Sequence, residues 1–313
     1  MQYGFGVDLG GTTVKIAYFD QIGTMLHKWE IPTVTANGGA QILPDIAASI
    51  RQFLDTNNIP DTDILGIGIG VPGPVDRNGI VNRCQNLGWG VFDVAQAITA
   101  HTGFPAKAGN DATMAALGEY WKGGSKSDNM VLVTLGTGVG GGIILDGRPL
   151  FGRHGAAGEI GHIVLNRREP IPCSCGKRGC AEQYCSATGI VRTAREYLQK
   201  DTRPSSLRSL ETLTCKDIFD AGTAGDTVAG DILEVVYDHL AEFVADVCAV
   251  LDPQTVVIGG GVSKAGPVLL GGIQRHLPKY IFHAMADVEF RLASLGNDAG
   301  AYGAFKLILD ATK

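Results

Sequence analysis

The chain contains two similar glycine-rich segments, and this internal repeat constrains its fold more than any other feature. The first is GVDLGGTTVKIAYFD, residues 6–20, and the second is LVTLGTGVGGGIILD, residues 132–146. At a constant offset, Gly10 falls on Gly136. Each segment reads as a strand, a tight turn of glycine and threonine, and a second strand, which predicts a β-hairpin. Two matching hairpins predict a duplicated domain, with the two tips facing each other across a cleft that suits a polyphosphate.

Around the hairpins, segments with a helical apolar period alternate with short apolar runs typical of strands. Helices are predicted at residues 40–57, 111–121 and 227–251, with another after residue 261 and a last one from about residue 300. Strands are predicted at residues 64–71, 255–261 and 288–295, and the polar residues 200–210 predict a loop. This alternation predicts an α/β fold with mixed sheets. Because 313 residues exceed what one core comfortably buries, two domains are expected.

Charge and hydropathy exclude several classes of function. The net charge of −6, without a basic stripe, disfavours nucleic-acid binding. The first residues lead straight into a strand pattern and lack the features of a signal peptide. No apolar run is long enough to span a bilayer. A cytoplasmic protein that binds neither nucleic acid nor membrane is therefore expected, and its seven cysteines should not form a disulfide framework.

The tip of the first hairpin, DLGGTTVK, has the composition of a phosphate site. Glycines without a Cβ let a ligand approach the backbone, and threonines offer hydroxyl groups. Asp8 could hold a magnesium ion through water, and Lys15 could meet a phosphate. A simple hairpin turn with a structural aspartate would explain the same residues. The candidates are Asp8, Gly10, Gly11, Thr12, Thr13 and Lys15.

Two further glycine clusters are candidate nucleotide sites. The segment GTGVGGG at residues 136–142 can form an anion nest from backbone N–H groups. The segment GGG at residues 259–261 lies between a predicted strand and a predicted helix, where a helix N-terminus can face a ligand. Close packing of a helix on a sheet would also require glycine there. The candidates are Gly136, Thr137, Gly138, Gly259, Gly260 and Gly261.

Asn110 and Asp111 stand immediately before a predicted helix. Either side chain can cap that helix. Phosphoryl transfer to an alcohol needs a carboxylate that orients the hydroxyl and accepts its proton, and Asp111 is the candidate for this base. The two interpretations do not exclude each other.

A metal-ligand pattern, H-x10-C-x-C-x4-C, lies within residues 158–183. His162, Cys173, Cys175 and Cys180 supply the ligand set of a closed tetrahedral zinc site, which leaves no position for water and predicts structural zinc. The other cysteines are expected to be small core residues; they are Cys84, Cys185, Cys215 and Cys248.

Two acids flank this metal-ligand pattern. Glu159 and Glu182 could bind the hydroxyl groups of a sugar, although solvated loop charge is the usual fate of glutamate. His162 can bind zinc through one ring nitrogen and donate to a ligand oxygen through the other.

At this point the sequence resembles a known family. In order along the chain stand the motifs DLGGTTVKIA, VPGPVD, NLGW, GNDATMAALGE, LGTGVGGGII, GEIGHI, CSCGKRGCAEQYCS, GGGVS and GNDAGAYGAF. This order is similar to that of the ROK family (repressor, open reading frame, kinase), and most similar to its bacterial glucokinases. The resemblance covers nearly the whole chain, and the zinc segment is its most specific part.

The resemblance implies an actin-like ATPase (ribonuclease H-like) fold with two domains. A small domain would comprise residues 1–115 with the C-terminal helix at about 298–313, and a large domain residues 116–297. ATP and Mg²⁺ would bind between the two hairpins, with residues 259–261 near the adenosine. The family pattern also implies a homodimer or a homotetramer.

The resemblance assigns roles residue by residue. Asp111 matches the catalytic base and Asn110 its partner on the sugar. Gly73 and Asn86 fall in segments that line the sugar pocket. The remaining sugar-binding positions are Glu159, His162 and Glu182, and the zinc ligands are His162, Cys173, Cys175 and Cys180.

The implied reaction is transfer of a phosphoryl group from ATP to the 6-hydroxyl of a hexose, with glucose as the expected sugar. N-acetylglucosamine and N-acetylmannosamine kinases share most of these motifs, and polyphosphate is an alternative donor. A sugar-sensing repressor of the same family would need a helix-turn-helix domain ahead of the first hairpin. A non-enzymatic scaffold would not need the two glutamates.

The sequence departs from the family pattern at two places. Gln85 precedes Asn86, and Arg168, Glu169 and Pro170 stand where the family carries a glycine. Both departures affect the identity of the sugar more than the chemistry.

Overall fold

The computed structural model describes residues 2–124 and 127–312. Met1 and Lys313, the outer ends of the predicted small domain, lie outside the described residues. The strands are β1 Tyr3–Leu9, β2 Thr13–Asp20, β3 Met25–Pro32, β4 Ile64–Val71, β5 Ile80–Cys84, β6 Trp89–Asp93, β7 Ala106–Asn110, β8 Met130–Leu135, β9 Val139–Leu145, β10 Arg148–Pro149, β11 Thr255–Gly259 and β12 Glu289–Leu292.

The helices vary from single turns to one of 25 residues. They are α1 Ala36–Gly39, α2 Ile42–Thr56, α3 Val94–Thr102, α4 Asp111–Lys122, α5 Glu182–Cys185, α6 Ala187–Lys200, α7 Cys215–Thr223, α8 Thr227–Leu251, α9 Pro267–His276 and α10 Ala299–Ala311. Among the described residues, each helix is too short or too polar to cross a lipid bilayer.

The sequence repeat is also a repeat of sheet topology. The first sheet has the order β3-β2-β1-β4-β7 and the second the order β10-β9-β8-β11-β12. In the first, β1, β2 and β3 are antiparallel neighbours, and β4 runs parallel to β1 and β7. In the second, β10 pairs antiparallel with β9, and β11 runs parallel to β8 and β12. The predicted α/β fold with mixed sheets is confirmed.

The chain divides into two compact units. Unit 1 comprises Met1–Asp128, Gly142–Gly158 and Ser294–Lys313, and unit 2 comprises Asn129–Gly141 and Glu159–Ala293. The sequence-based division at residues 115 and 297 stays a prediction.

Unit 1 buries its sheet under amphipathic helices. Helix α2 places Ile42, Ile46, Ile50 and Leu54 one turn apart on its buried face, which is the spacing of a helix packed on a core. The sheet residues beneath it, such as Phe5, are fully buried. The separate hairpin of β5 and β6, which the sequence did not predict, completes this unit.

Helix α10 approaches β1, β4 and α4 more closely than a side chain would allow. A Cβ on Gly6 would lie 2.0 Å from a carbonyl oxygen of α10, and one on Gly68 would lie 1.7 Å from another. Gly118 of α4 and Gly303 of α10 make equally close contacts. Only glycine fits at such positions, so α10 is integral to unit 1.

Unit 2 is organised around α8, whose buried residues recur along its whole length. The side chain of Asp226 accepts hydrogen bonds from the N–H groups of Val228 and Ala229 and caps its first turn. Strand β11 has parallel neighbours, β8 and β12, on both sides and is fully buried, as is typical of a central strand in a parallel sheet whose two faces are covered.

Most predicted elements are present within a few residues of their expected limits. Strand β12 is shorter than predicted, and a 3-10 turn, Ser206–Ser209, interrupts the predicted loop. The helix expected directly after the glycines of β11 begins only at Pro267, because the 3-10 turn Gly261–Ala265 intervenes.

Candidate functional site

The start of α4 shows which of Asn110 and Asp111 is the helix cap, a question that the sequence left open. Asn110 is the residue that caps the helix, because its Oδ1 accepts the N–H of Thr113 at 3.0 Å. Its Nδ2 donates to the carbonyl of Gly73 at 3.0 Å and to Oδ1 of Asp111 at 2.9 Å. Asp111 is the first helical residue and is half-buried. Asn110 is therefore the N-cap residue, and Asp111 adds one bond at the helix start through its Oδ1, which accepts the N–H of Ala112 at 2.8 Å.

The segment opposite Asn110 brings Gly73 and the β5–β6 turn together. Gly73 has a left-handed φ of 123°, and a Cβ there would lie 3.7 Å from Sγ of Cys84. The buried Cys84 thiol donates to the carbonyl of Pro72, and burial followed by the nearby Asp111 charge raises its pKa. Asn86 lies two residues further on, exposed in a 3-10 turn. Cys84 is therefore both the core residue that the sequence predicted and a neighbour of Asp111.

The first hairpin tip carries a charged pair at its base. Asp8 of β1 lies opposite Lys15 of β2, and Lys15 Nζ is 3.7 Å from Asp8 Oδ2. Burial raises the pKa of the Asp8 carboxyl, and Lys15 opposes that shift. A Cβ on Gly300 would lie 2.8 Å from the Asp8 carboxyl carbon, so glycine at the start of α10 makes room for this group.

The turn of the first hairpin exposes its small residues. Gly10 N–H bonds to the carbonyl of Thr13 at 3.0 Å, and Gly11 and Thr12 are exposed. Thr33, just after β3, donates its hydroxyl to the carbonyl of Gly10 at 2.7 Å and its N–H to that of Thr12 at 2.9 Å. The predicted phosphate residues of this tip therefore lie together on one supported turn.

The second hairpin tip is held by the residues that follow the last cysteine of the metal pattern. The carbonyl of Gly136 accepts the N–H of Ala187 at 2.8 Å, and the carbonyl of Thr137 accepts the hydroxyl of Thr188 at 2.9 Å. Gly136 N–H closes the turn on the carbonyl of Gly138 at 2.9 Å. The predicted residues of this tip thus form one turn anchored on the start of α6.

The glycines after β11 lie beside the base of that second hairpin. Gly259 pairs with Thr134 of β8. Gly260 has a φ of 82°, and a Cβ there would lie 2.4 Å from the carbonyl of Leu135. Close backbone packing therefore explains Gly260. Gly261 is exposed, and a Cβ on it would meet nothing within 4 Å, so packing does not explain that glycine.

Four predicted ligands form one cluster. The ligand atoms of His162, Cys173, Cys175 and Cys180 all lie within 4.8 Å of one another. His162 Nδ1 is 3.8 Å from Sγ of Cys173, and the thiols of Cys175 and Cys180 are 3.6 Å apart. Three sulfur donors and one imidazole at this spacing can hold a single metal ion.

The two glutamates beside this cluster have different surroundings. Glu159 is exposed, and its Oε2 is 3.7 Å from Nε2 of His162, the ring nitrogen that faces away from the thiols. Glu182 instead turns toward the second hairpin, where its Oε2 accepts the N–H of Val139 at 3.0 Å. The sequence did not predict this bond.

Glu169, in the loop before the cysteines, is a buried acid. It accepts hydrogen bonds from the hydroxyl of Tyr184, from Arg192 at 3.0 Å and from the N–H of Ile171 at 3.0 Å. Burial alone would raise the pKa of Glu169, but these donors lower it below its usual value. Glu169 thus ties the loop before the cysteines to α5 and α6.

Known proteins resemble this chain in sequence along nearly its whole length. Residues 4–311 match the ROK family. The chain is 43% identical to a glucokinase of Halalkalibacterium halodurans, over 95% of this chain and 92% of the relative.

Two solved structures share the fold. A ROK family glucokinase from Streptomyces griseus, in complex with glucose and AMPPNP, is 30% identical and superposes with a TM-score of 0.76 over 97% of this chain and 98% of that one. A ROK family transcriptional regulator, a homologue of the E. coli MLC protein, is 27% identical with a TM-score of 0.86 over 99% of this chain and 78% of that one. The fold is the actin-like ATPase fold of ROK sugar kinases, and the chain belongs to the ROK family.

Proposed function

We propose that the chain is an ATP-dependent hexose kinase that transfers a phosphoryl group to the 6-hydroxyl of glucose. The observation that carries the proposal is the start of α4, where Asn110 caps the helix and leaves Asp111 half-buried at its first position. The similarity to a glucokinase along 95% of the chain supports glucose as the sugar.

Asp111 is the proposed base. Its Oδ1 accepts hydrogen bonds from Nδ2 of Asn110 at 2.9 Å and from the N–H of Ala112 at 2.8 Å. These donors fix the carboxylate, so that it can orient a sugar hydroxyl and take its proton as the phosphoryl group is transferred. Asn110 also binds the carbonyl of Gly73, which ties the base to the segment that carries the proposed sugar contacts.

The two hairpin tips are the proposed phosphate sites. Asp8 would hold Mg²⁺ through water, and Mg²⁺ when bound offsets the negative charge of the transferred phosphoryl group. Lys15 would meet a phosphate directly. At the second tip the backbone N–H groups of residues 136–138 would contact the nucleotide, with residues 259–261 near the adenosine.

Zinc is the proposed occupant of the Cys/His cluster. Zinc–sulfur and zinc–nitrogen bonds of about 2.3 and 2.1 Å at tetrahedral angles place two sulfur atoms about 3.8 Å apart and a sulfur and a nitrogen atom about 3.6 Å apart. The sulfur pair of Cys175 and Cys180, at 3.6 Å, and the pair of Cys173 Sγ and His162 Nδ1, at 3.8 Å, lie close to these separations. The four residues fill a tetrahedral shell, so the ion would be structural. Nε2 of His162 stays free to donate to a sugar hydroxyl, together with contacts proposed for Glu159 and for Oε1 of Glu182.

A coupled assay over a panel of hexoses tests the substrate. With ATP as donor, glucose should give the highest kcat/KM, and polyphosphate is assayed in parallel as an alternative donor. Turnover of N-acetylated hexosamines alone would replace glucose by that class of sugar.

Metal analysis of untagged protein tests zinc, which should be present at about one equivalent.

Replacement of Asp111 tests the mechanism. Asp111→Ala should lower kcat by about 10²–10⁴-fold, the usual worth of a positioned base, while glucose binding persists. Asp45→Ala is the matched control, since Asp45 is also an acid in the first turn of a helix, α2. Wild-type turnover by Asp111→Ala would remove Asp111 from the reaction.

Assembly and location are further parts of the proposal. A homodimer or homotetramer in the cytoplasm follows from the family resemblance, and light scattering of the purified protein measures the assembly state directly.

A further inference from the structure

The second hairpin tip and the metal cluster share one side chain. The Glu182 carboxylate accepts the N–H of Val139 through Oε2 at 3.0 Å. Its other oxygen, Oε1, is 3.4 Å from Oγ of Ser174 and 3.8 Å from Sγ of Cys173. Cys173 is one of the four clustered ligands. One carboxylate therefore contacts both the turn proposed for nucleotide phosphates and the loop proposed for zinc.

Gly138 leaves the space that the Glu182 carboxylate occupies beside the turn. A Cβ on Gly138 would lie 2.3 Å from Oε2, so the glycine allows the carboxylate to reach the backbone. Within the described residues, the N–H groups of Thr137 and Gly138 donate no hydrogen bond. Those two N–H groups are available for an anion, and the bond to the next N–H, that of Val139, fixes the peptide beside them.

We propose that Glu182 is a positioning residue that couples metal occupancy of the Cys/His cluster to nucleotide binding at the tip formed by residues 136–139. The inference rests on the proposed function, because it takes this tip to be the phosphate site. It goes beyond a structural role of the metal, since it assigns the metal an effect on the nucleotide.

The physical reason lies in the support of the loop. The segment from Cys173 to Arg178 is mostly exposed and is closed by two short-range backbone bonds, Cys173 N–H to Lys177 at 2.7 Å and Gly176 N–H to Cys173 at 2.9 Å. Lys177 Nζ donates to the carbonyl of His162 at 2.9 Å, and a bound metal would add links from Cys173 and Cys175 to the His162 ring and to Cys180. Metal-bound Cys173 is a thiolate and donates no hydrogen bond, so Ser174 Oγ, 3.4 Å from Oε1, is the donor that orients Oε1 in the loaded state. With the metal removed, the segment that carries Ser174 loosens, and the charged hydrogen bond from Val139 loses its fixed geometry.

The test measures nucleotide affinity without turnover. Binding of AMPPNP with Mg²⁺ is measured by calorimetry in the absence of sugar, before and after a chelator removes the metal. For the wild-type chain we expect about 10-fold weaker binding after chelation, the effect of losing one charge-assisted hydrogen bond. Metal-loaded Glu182→Ala should show the same weakening, and chelation should weaken it no further.

Two variants keep the test decisive. Glu182→Gln retains an oxygen acceptor for Val139, so it should fold and keep nucleotide affinity within about 3-fold of wild type. Glu211→Ala removes an exposed acid of the same unit that contacts neither the tip nor the cluster, and it should retain the full effect of chelation. Circular dichroism after chelation checks that the chain remains folded.

The outcomes separate the two proposals. Equal weakening of wild type and Glu182→Ala by chelation would overturn the coupling, and so would wild-type affinity of metal-loaded Glu182→Ala. Failure of the metal-loaded wild-type chain to bind AMPPNP would overturn the proposed function, and the coupling with it. Loss of the chelation effect in Glu182→Ala alone supports the coupling.

Discussion

The two hairpin tips occupy the same place in sheets of the same strand order, yet they are built for different contacts. The first tip has the Asp8–Lys15 pair at its base, whereas the offset places Thr134 and Gly141 at the matching positions of the second. The second tip carries no charge of its own and receives the carboxylate of Glu182 instead. The duplication preserved the backbone of the turn, and the charged groups around it diverged.

Support of the turn is the part that the tips still share. A threonine hydroxyl from a neighbouring segment donates to a carbonyl of each tip: Thr33 to Gly10 and Thr188 to Thr137. Both tips are thus anchored through their backbone, and they differ in the charged groups beside them: Asp8 and Lys15 at the first tip, Glu182 at the second. Four sets of variants test this difference between the tips.

The largest effect is expected at the base of the first tip. Asp8→Asn should lower kcat about 10²–10³-fold, because it removes a charge proposed to hold Mg²⁺. Steady-state kinetics at saturating ATP and glucose measures it. Turnover within 3-fold of wild type would leave Asp8 without the proposed role.

The same substitution should not destabilise the fold at neutral pH. Because burial raises the pKa of Asp8, the folded state holds its proton more tightly than the unfolded state. Its contribution to stability is therefore greatest at low pH and is lost as pH rises through the raised pKa. Asn removes the buried charge, so the melting temperature should stay level or rise.

Lys15→Met, which removes the group that lowers this pKa, should move the acid limb of the pH–rate profile to higher pH.

The second-largest effect is expected at the support of the metal loop, on which only the second tip depends. Glu169→Ala leaves Arg192 without its buried partner and should cost about 3 kcal/mol of unfolding free energy, measured in urea. The pKa of Glu169 is lower in the folded state than in the unfolded state. Its contribution to the unfolding free energy is therefore present above its unfolded-state pKa and is lost as pH falls through its folded-state pKa.

Glu196→Ala is the control for that measurement, because Glu196 is an exposed neighbour of Arg192 that makes no bond to the loop. The Asp8-dependent part of the pH–rate profile should be unchanged in both variants. An equal loss of stability in the two would assign the effect to Arg192 and α6 alone.

A third pair of variants compares glycines at the two tips. Gly138→Ala places a Cβ against Oε2 of Glu182 and should cost about 1.5–3 kcal/mol of unfolding free energy, the range for a hydrogen bond to a charged group. Gly11→Ala meets nothing within 4 Å and should change the unfolding free energy by no more than about 0.5 kcal/mol. An equal loss of unfolding free energy in Gly138→Ala and Gly11→Ala would show that the bond between Glu182 and Val139 does not distinguish the second tip from the first.

The smallest effect concerns the shared anchors. Thr33→Val and Thr188→Val each remove one hydroxyl that donates to a tip carbonyl, and each should cost about 1 kcal/mol. Urea unfolding of both variants gives the comparison. A cost above about 2 kcal/mol at one tip with none at the other would contradict a common anchoring.

The sequence predicts the hairpins and the metal cluster well because both depend on local spacing. A tight turn is encoded by consecutive small residues, and the four metal ligands recur within 19 positions of one loop, from His162 to Cys180. The limits of helix α8 are likewise predicted to the residue, since its apolar period and the Asp226 cap are local features.

The bonds that distinguish the two tips could not be predicted in this way. Val139 and Glu182 are 43 residues apart, and Glu169 and Arg192 are 23 apart. Whether such a charged residue is solvated or buried depends on where its partner lies in space, and its own neighbours in the sequence do not encode that. For this reason the sequence leaves solvated loop charge as an alternative for Glu182, and it gives no sign that Glu169 is buried.

The glycine contacts of α10 have a consequence for the order in which the chain can fold during synthesis. Unit 1 contains the earliest residues of the chain. The face of its sheet that carries Gly6 and Gly68 stays uncovered until helix α10, Ala299–Ala311, has been synthesised. Unit 2 is encoded entirely before that helix and can close first. The part that is translated first is thus the last to be completed, and a ribosome stalled before residue 299 would display β1 and β4 with their glycine faces uncovered.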